Sequence, residues 1–146
     1  MLRLYTDGSY SDETGVGSWA WLLVGNGTRE LGSGVVEEGS THQRMELTAA
    51  VEGLAAVPEG ALVELVSDST YVVDALRLGY LERWRSRGWR RVSHIDLWRG
   101  FAELTDRRSV LGTWVHAHAG DDGDPWNVMA DHLAKTARRV AEACAA

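Results

Sequence analysis

Asp7, Glu46, Asp68 and Asp131 each stand inside apolar sequence. Asp7 follows Leu2, Leu4 and Tyr5, although Asp is depleted in strands. Glu46 lies between Met45 and Leu47, Asp68 ends "LVELVSD", and Asp131 sits in "NVMADHLA". An acid in such a setting is costly unless it is paired, hydrogen-bonded or bound to a metal. Singly, each has a local explanation. Asp7 could begin a turn with Gly8 and Ser9, and Asp68 could cap the helix that follows. Four such acids are harder to explain this way. Gathered together they repel and resist ionising, and divalent cations relieve that repulsion. Oxygen-only ligands suit Mg2+ or Mn2+, and no Cys/His cluster suggests zinc. Two such ions about 4 Å apart can hold a phosphodiester, activate a water and stabilise the leaving oxygen. The chemistry this predicts is phosphodiester hydrolysis.

The elements that must position these acids can be read coarsely. Leu2 to Asp7, Gly17 to Val24 and Leu31 to Glu37 read as three strands, the last two joined by the turn "GNGT" at 25–28. In "STHQRMELTAAVEGLAAV" the period changes to that of a helix, with Ser40 or Thr41 as cap and Pro58 and Gly60 as stop. "ALVELVSDS" is a fourth strand, and Ser69 caps the helix "TYVVDALRL". A helical stretch "GYLERWRSRG" follows. "SHIDLWRGFAELT" opens with Ser93 and Asp96 in capping-box spacing. "SVLGTWVHAH" is a fifth strand, and Asp124-Pro125 starts a last helix to about Ala143. The reading is an α/β domain with a five-stranded mixed sheet, order βββαβααβα, and helices packed on it.

The chain has 146 residues and is 45% apolar, which suits one domain with a true core over residues 1–146. Its longest apolar run, Trp19 to Val24, is too short to span a membrane. No secretory signal is visible at the start. A single cysteine, Cys144, excludes an internal disulfide. A reduced, cytoplasmic setting is the expectation. Net charge is −6 but unevenly spread. Residues 77–108 hold nine arginines against four acids, a local +5 that leaves −11 on the rest. That asymmetry keeps a polyanionic partner open where the total argues against one.

The pieces "YTDGS", "THQRMELTAA", "VSDSTYV", "RGWRRVSHIDLW" and "HAG…NVMADHLA" resemble the type 1 ribonuclease H family, in that family's order and over nearly the whole chain. The resemblance implies a ribonuclease H-like fold. It also implies hydrolysis of the RNA strand of RNA–DNA hybrids with two Mg2+ ions, Mn2+ being able to substitute. On it, Asp7 bridges both ions, Glu46 and Asp68 complete one shell, and Asp131 helps hold the second. Water attacks phosphorus in line and leaves a 5′-phosphate and a 3′-hydroxyl. His118 matches the family's histidine in an "HAG" loop, thought to aid proton transfer or product release; His116 is its rival. The loop after His118 is longer than the family's usual form, and its Asp121, Asp122 and Asp124 are either solvated or act on the metals or on His118. No protein partner is implied, and a monomer that relies on its own grip of the hybrid is expected.

That grip has a candidate in "RWRSRGWRR", residues 83–91, with five arginines, two tryptophans and no acid. A solvated amphipathic helix explains Trp84 and Trp89 but not the arginine density. The segment resembles the family's basic protrusion, which grips the DNA strand. Arg85, Arg87, Arg90 and Arg91 read as contacts to the nucleic-acid backbone, not to sequence. The 2′-hydroxyl separates RNA from DNA, and the resemblance points to Gly8, His42 and Gln43 for that contact. Thr41 and His94 fall where the family builds a phosphate pocket for the DNA strand.

Three positions depart from the family pattern. His42 and His94 stand where Asn is usual, and Thr70 where a longer amide is common. Two further readings stay open: a metal-dependent nuclease of the same fold acting on other substrates, and a silent hybrid-binding module. Imidazoles at both departing contacts predict hybrid affinity that falls as pH rises. A binding titration between about pH 5.5 and 8 measures this, and a flat curve refutes it.

Overall fold

The computed structural model describes residues 1–117 and 123–145. Strands β1 (Leu2–Tyr10), β2 (Gly17–Gly25) and β3 (Thr28–Val36) form an antiparallel meander. Helix α1 (His42–Ala56) crosses to β4 (Leu62–Ser67), which pairs in parallel with β1. Three helices follow: α2 (Thr70–Arg77), α3 (Tyr80–Ser86) and α4 (Ile95–Asp106). They lead to β5 (Ser109–Trp114), parallel to β4, and α5 (Pro125–Ala145) closes the chain. The sheet order is β3-β2-β1-β4-β5. The five-stranded mixed sheet is the one expected.

One detail of the order differs. Three helices separate β4 from β5, matching the three helical stretches in the sequence and one more than the order βββαβααβα counts. Gly79 adopts a left-handed conformation at φ 71° and divides α2 from α3. The Ser93/Asp96 capping box also does not form. His94 occupies the cap position of α4 at φ 57° with no side-chain cap bond. The Asp96 carboxylate instead takes two hydrogen bonds from Arg44 on α1. The other caps hold. Thr41 Oγ1 accepts from Arg44 N at 3.1 Å, and Ser69 Oγ accepts from Val72 N at 3.3 Å.

Alternation along β1 divides the core between the two sheet faces. Leu2 and Leu4 pack with Leu47, Leu54, Trp98 and Phe101 under α1 and α4. Tyr5 faces the other way, with Leu22, Val66 and Ala130 under α5. Asp7 shares the parity of Tyr5, and Gly8 that of Leu4. A Cβ on Gly8 would lie 2.4 Å from Glu46 N and 2.5 Å from Met45 C. Those are backbone atoms, so only glycine lets α1 seat its first turn against β1.

Replacing Gly8 by alanine therefore pushes α1 off β1. The expected cost is about 1–3 kcal/mol, the usual range for overpacking, read as a lower midpoint in urea with an unchanged slope.

Candidate active site

β1 and β4 are parallel neighbours, with Tyr5 opposite Val66, so the end of β4 lies beside the middle of β1. Asp7 is two residues beyond Tyr5, inside β1, and Asp68 is the residue after Ser67, the last of β4. Trp114 on β5 donates its indole N–H to the Asp68 carbonyl at 3.0 Å, which fixes the backbone there. Glu46, the fifth residue of α1, reaches the same point. Carboxylate oxygens of Asp7, Glu46 and Asp68 all lie within 4.8 Å of one another. They open into a cleft of about 500 Å³ that Asp131 of α5 also lines. Asp131 lies close enough to interact with the Asp7 carboxyl.

Asp7 and Glu46 are each only 3% exposed. The Gly8 amide donates to both, to Asp7 Oδ1 at 2.9 Å and Glu46 Oε2 at 3.2 Å. Even so, the Asp7 carboxyl titrates far above the usual carboxylate range, first through burial and then through the charges of Glu46 and Asp68. Glu46 is raised well above its ordinary value by burial and by Asp68, against the opposing bonds from Asp7 and Gly8. A close set of hard oxygen donors, two of them buried, that cannot share its charge could hold a hard divalent cation. The residues present fit such an ion.

The remaining sequence candidates fall into three groups. Gly8, His42 and Gln43 line the cleft. His42 does more than the sequence indicated: its Nε2 lies 3.0 Å from Glu46 Oε1. Thr41 and His94 stand near one another through Arg44, whose amide Thr41 caps and whose Nη1 is 3.3 Å from His94 Nδ1. In the basic segment, Arg87, Arg90 and Arg91 are exposed and line a groove of about 530 Å³ with Trp84 and Val92. Arg85 is tied down, with Asp106 at 3.2 Å and Glu82 at 3.5 Å.

His118, Asp121 and Asp122 lie outside the described residues. His116 follows β5, edge-on to Trp114, and lines a separate groove with Arg3, Tyr5 and Asp124. Asp124 is not simply solvated. It accepts from Tyr5 Oη at 3.0 Å and from Trp126 N at 3.0 Å, anchoring the start of α5. Sequence reasoning missed both cations that line the cleft beside Asp131, Lys135 and Arg138. Lys135 lies 3.1 Å from Asp131, and its i,i+4 spacing was the available signal. Among the described residues, no helix is long and apolar enough to cross a membrane.

A family model described as RNase H matches residues 1–139. A ribonuclease H of Chlorobium phaeovibrioides is 41% identical over 144 residues, covering 94% of this chain and 95% of that protein. One of Thermoanaerobacter pseudethanolicus is 37% identical over 139 residues, covering 92% and 87%. Among solved structures, LC9-RNase H1, described as a type 1 RNase H with the type 2 active-site motif, superposes with a TM-score of 0.75. It is 27% identical and is matched over 95% of this chain and 72% of its own. Fold, site and sequence agree: the chain belongs to the RNase H family.

Proposed function

We propose that this protein hydrolyses the RNA strand of RNA–DNA hybrids at the carboxylate cluster, leaving a 5′-phosphate and a 3′-hydroxyl. Family membership supports the hybrid as substrate. The observation that carries the site is the convergence of Asp7, Glu46 and Asp68 oxygens within 4.8 Å. Asp7, Glu46, Asp68 and Asp131 would hold two Mg2+ ions, or Mn2+ in their place. When bound, such ions neutralise the cluster and stabilise charge on the attacking and leaving oxygens.

The chain's own groups do the positioning. Gly8 N–H fixes one oxygen each of Asp7 and Glu46. Gly8, His42 and Gln43 face the RNA sugar, while Thr41 and His94 take a DNA phosphate. Arg87, Arg90 and Arg91 grip the backbone, with Arg85 contributing less because Asp106 already holds it. Water adds to phosphorus opposite the 3′ oxygen, the phosphorus–oxygen bond breaks, and the departing oxygen takes up a proton. His118 is the residue proposed to move that proton. Residues 1–146 act as one catalytic domain and as a monomer.

Asp7→Asn keeps the oxygen that accepts from Gly8 and removes the charge. The expected result is a folded protein that binds hybrid and has lost at least about 10³-fold in cleavage, about 4 kcal/mol of barrier. EDTA abolishes wild-type cleavage, and added Mg2+ or Mn2+ restores it. Cleavage by Asp7→Asn at the wild-type rate refutes the site assignment, and a comparison of hybrid, duplex RNA and duplex DNA tests the substrate.

The metal-free protein offers an independent check. Unfolded carboxyls lose their protons near pH ~4, whereas folded Asp7 and Glu46 hold theirs to much higher pH. The native state then binds more protons than the unfolded one, so the pair's contribution to stability falls as pH rises from about 5 to 8. Asp7→Asn relieves this, so in EDTA its melting temperature exceeds that of wild type by an amount that grows with pH. Each 1 kcal/mol gained appears as about 2–4 °C at this size. Mg2+ raises the wild-type melting temperature more than that of the variant, and equal shifts count against metal binding at this cluster.

A further inference from the structure

Arg138 lies on α5, in the helical layer opposite the one that carries the basic protrusion. It lines the same cleft as Asp7, Ser9 and Asp131. Its side chain is only 17% exposed, unusual for an arginine, and it is held at two points. Nε donates to Ser9 Oγ at 2.9 Å, and Nη1 donates to Glu142 Oε1 at 2.9 Å. Ser9 is two residues beyond Asp7 on β1, on the same face by strand alternation. Glu142 also receives the Thr14 hydroxyl, which ties the β1–β2 loop to α5.

An i,i+4 pair on a helix needs no partner on a distant strand. The bond to Ser9, 129 residues away, turns the guanidinium toward the end of β1 that bears the cluster. A guanidinium has five N–H donors, more than Ser9 and Glu142 engage. Arginine presents those donors as a rigid fork suited to phosphate. The other cation on this flank of the cleft, Lys135, already faces Asp131 at 3.1 Å. A phosphodiester backbone seated at the cluster comes within reach of this flank, since Arg138 lines the same cleft. There it meets a buried acidic centre, and a fixed cation is the group it needs.

We propose that Arg138 binds a backbone phosphate of the hybrid beside the scissile bond, as a second grip on the α5 side of the cleft. This rests on the cluster being the cleavage site. Pre-orientation by Ser9 and Glu142 means that little side-chain freedom is lost on binding. The contact is electrostatic and carries no base preference.

The test measures hybrid affinity against salt in an Asp7→Asn background, with kcat and KM in the otherwise wild-type protein. Arg138→Gln is expected to weaken binding about tenfold and to lower the slope of log affinity against log salt by about 0.7–0.9, one phosphate's worth. KM rises in parallel and kcat stays within about twofold, since uniform binding is what is lost. Glu142→Gln removes the neighbouring negative charge but keeps the cation, so its salt slope matches wild type. Ser9→Ala frees the fork and weakens binding about threefold at an unchanged slope, which serves if Arg138→Gln melts too low to assay. An unchanged slope in Arg138→Gln, or in its absence a Ser9→Ala protein with wild-type affinity and only a lower melting temperature, overturns the proposal. Absence of cleavage by the wild-type protein in Mg2+ instead overturns the reading of the cluster.

Discussion

Asp7 and Glu46 are almost wholly removed from water and stand beside Asp68, so the three cannot all be ionised without a counter-charge. Two amide bonds from Gly8 offset part of the cost and no more. Every neighbouring element bears on this one conflict. Parallel pairing of β1 with β4 sets the end of β4 beside Asp7. The missing side chain at Gly8 lets α1 deliver Glu46 to the same point. Trp114 clamps the Asp68 backbone from the next strand. The apolar packing under α1 and α4 stabilises a fold that would otherwise relax by parting these elements. The cluster therefore either keeps protons or needs a counter-charge, and a hard divalent cation would supply one.

Much of this was legible because its signals are local. An Asp closing a run of strand residues, a Thr three residues before an amide it caps, and a Pro at the first helical position are each decided within a few residues. Thr41, Ser69 and Pro125 behave in the structure as their spacing indicated. Asp96 shows where that reasoning fails. Its capping-box spacing was correct, but Arg44, 52 residues earlier, offers a two-bond partner that a local serine cannot match. The bond of Arg138 to Ser9 spans 129 residues, and no window of sequence contains both. The contact of His42 with Glu46 was within reach, since i and i+4 share a helix face.

The segment between α3 and α4 was legible in composition and opaque in conformation. Trp89, Arg91 and His94 all adopt positive φ without being glycine. Each costs roughly 1–2 kcal/mol, so local propensity alone would choose another path. Two anchors hold the path taken. Trp84 packs edge-on against buried Trp98 with ring centroids 5.0 Å apart, and Arg44 ties α1 to Asp96 at the start of α4. Between them the chain is short and its turns are imposed.

The consequence bears on how an acidic protein holds a polyanion. The carboxylate centre repels a phosphodiester backbone, and most of the chain's surface adds to that repulsion. A flexible arginine tail would lower the field but lose ordering entropy for each contact made. Here Arg91 leaves a strained turn of the protrusion, and on the opposite layer Arg138 is held by Ser9 and Glu142. Cations on both flanks would give a substrate a favourable path to the one region where its charge is least welcome. That region is also where bound cations would invert the sign of the field, so grip and chemistry become favourable together.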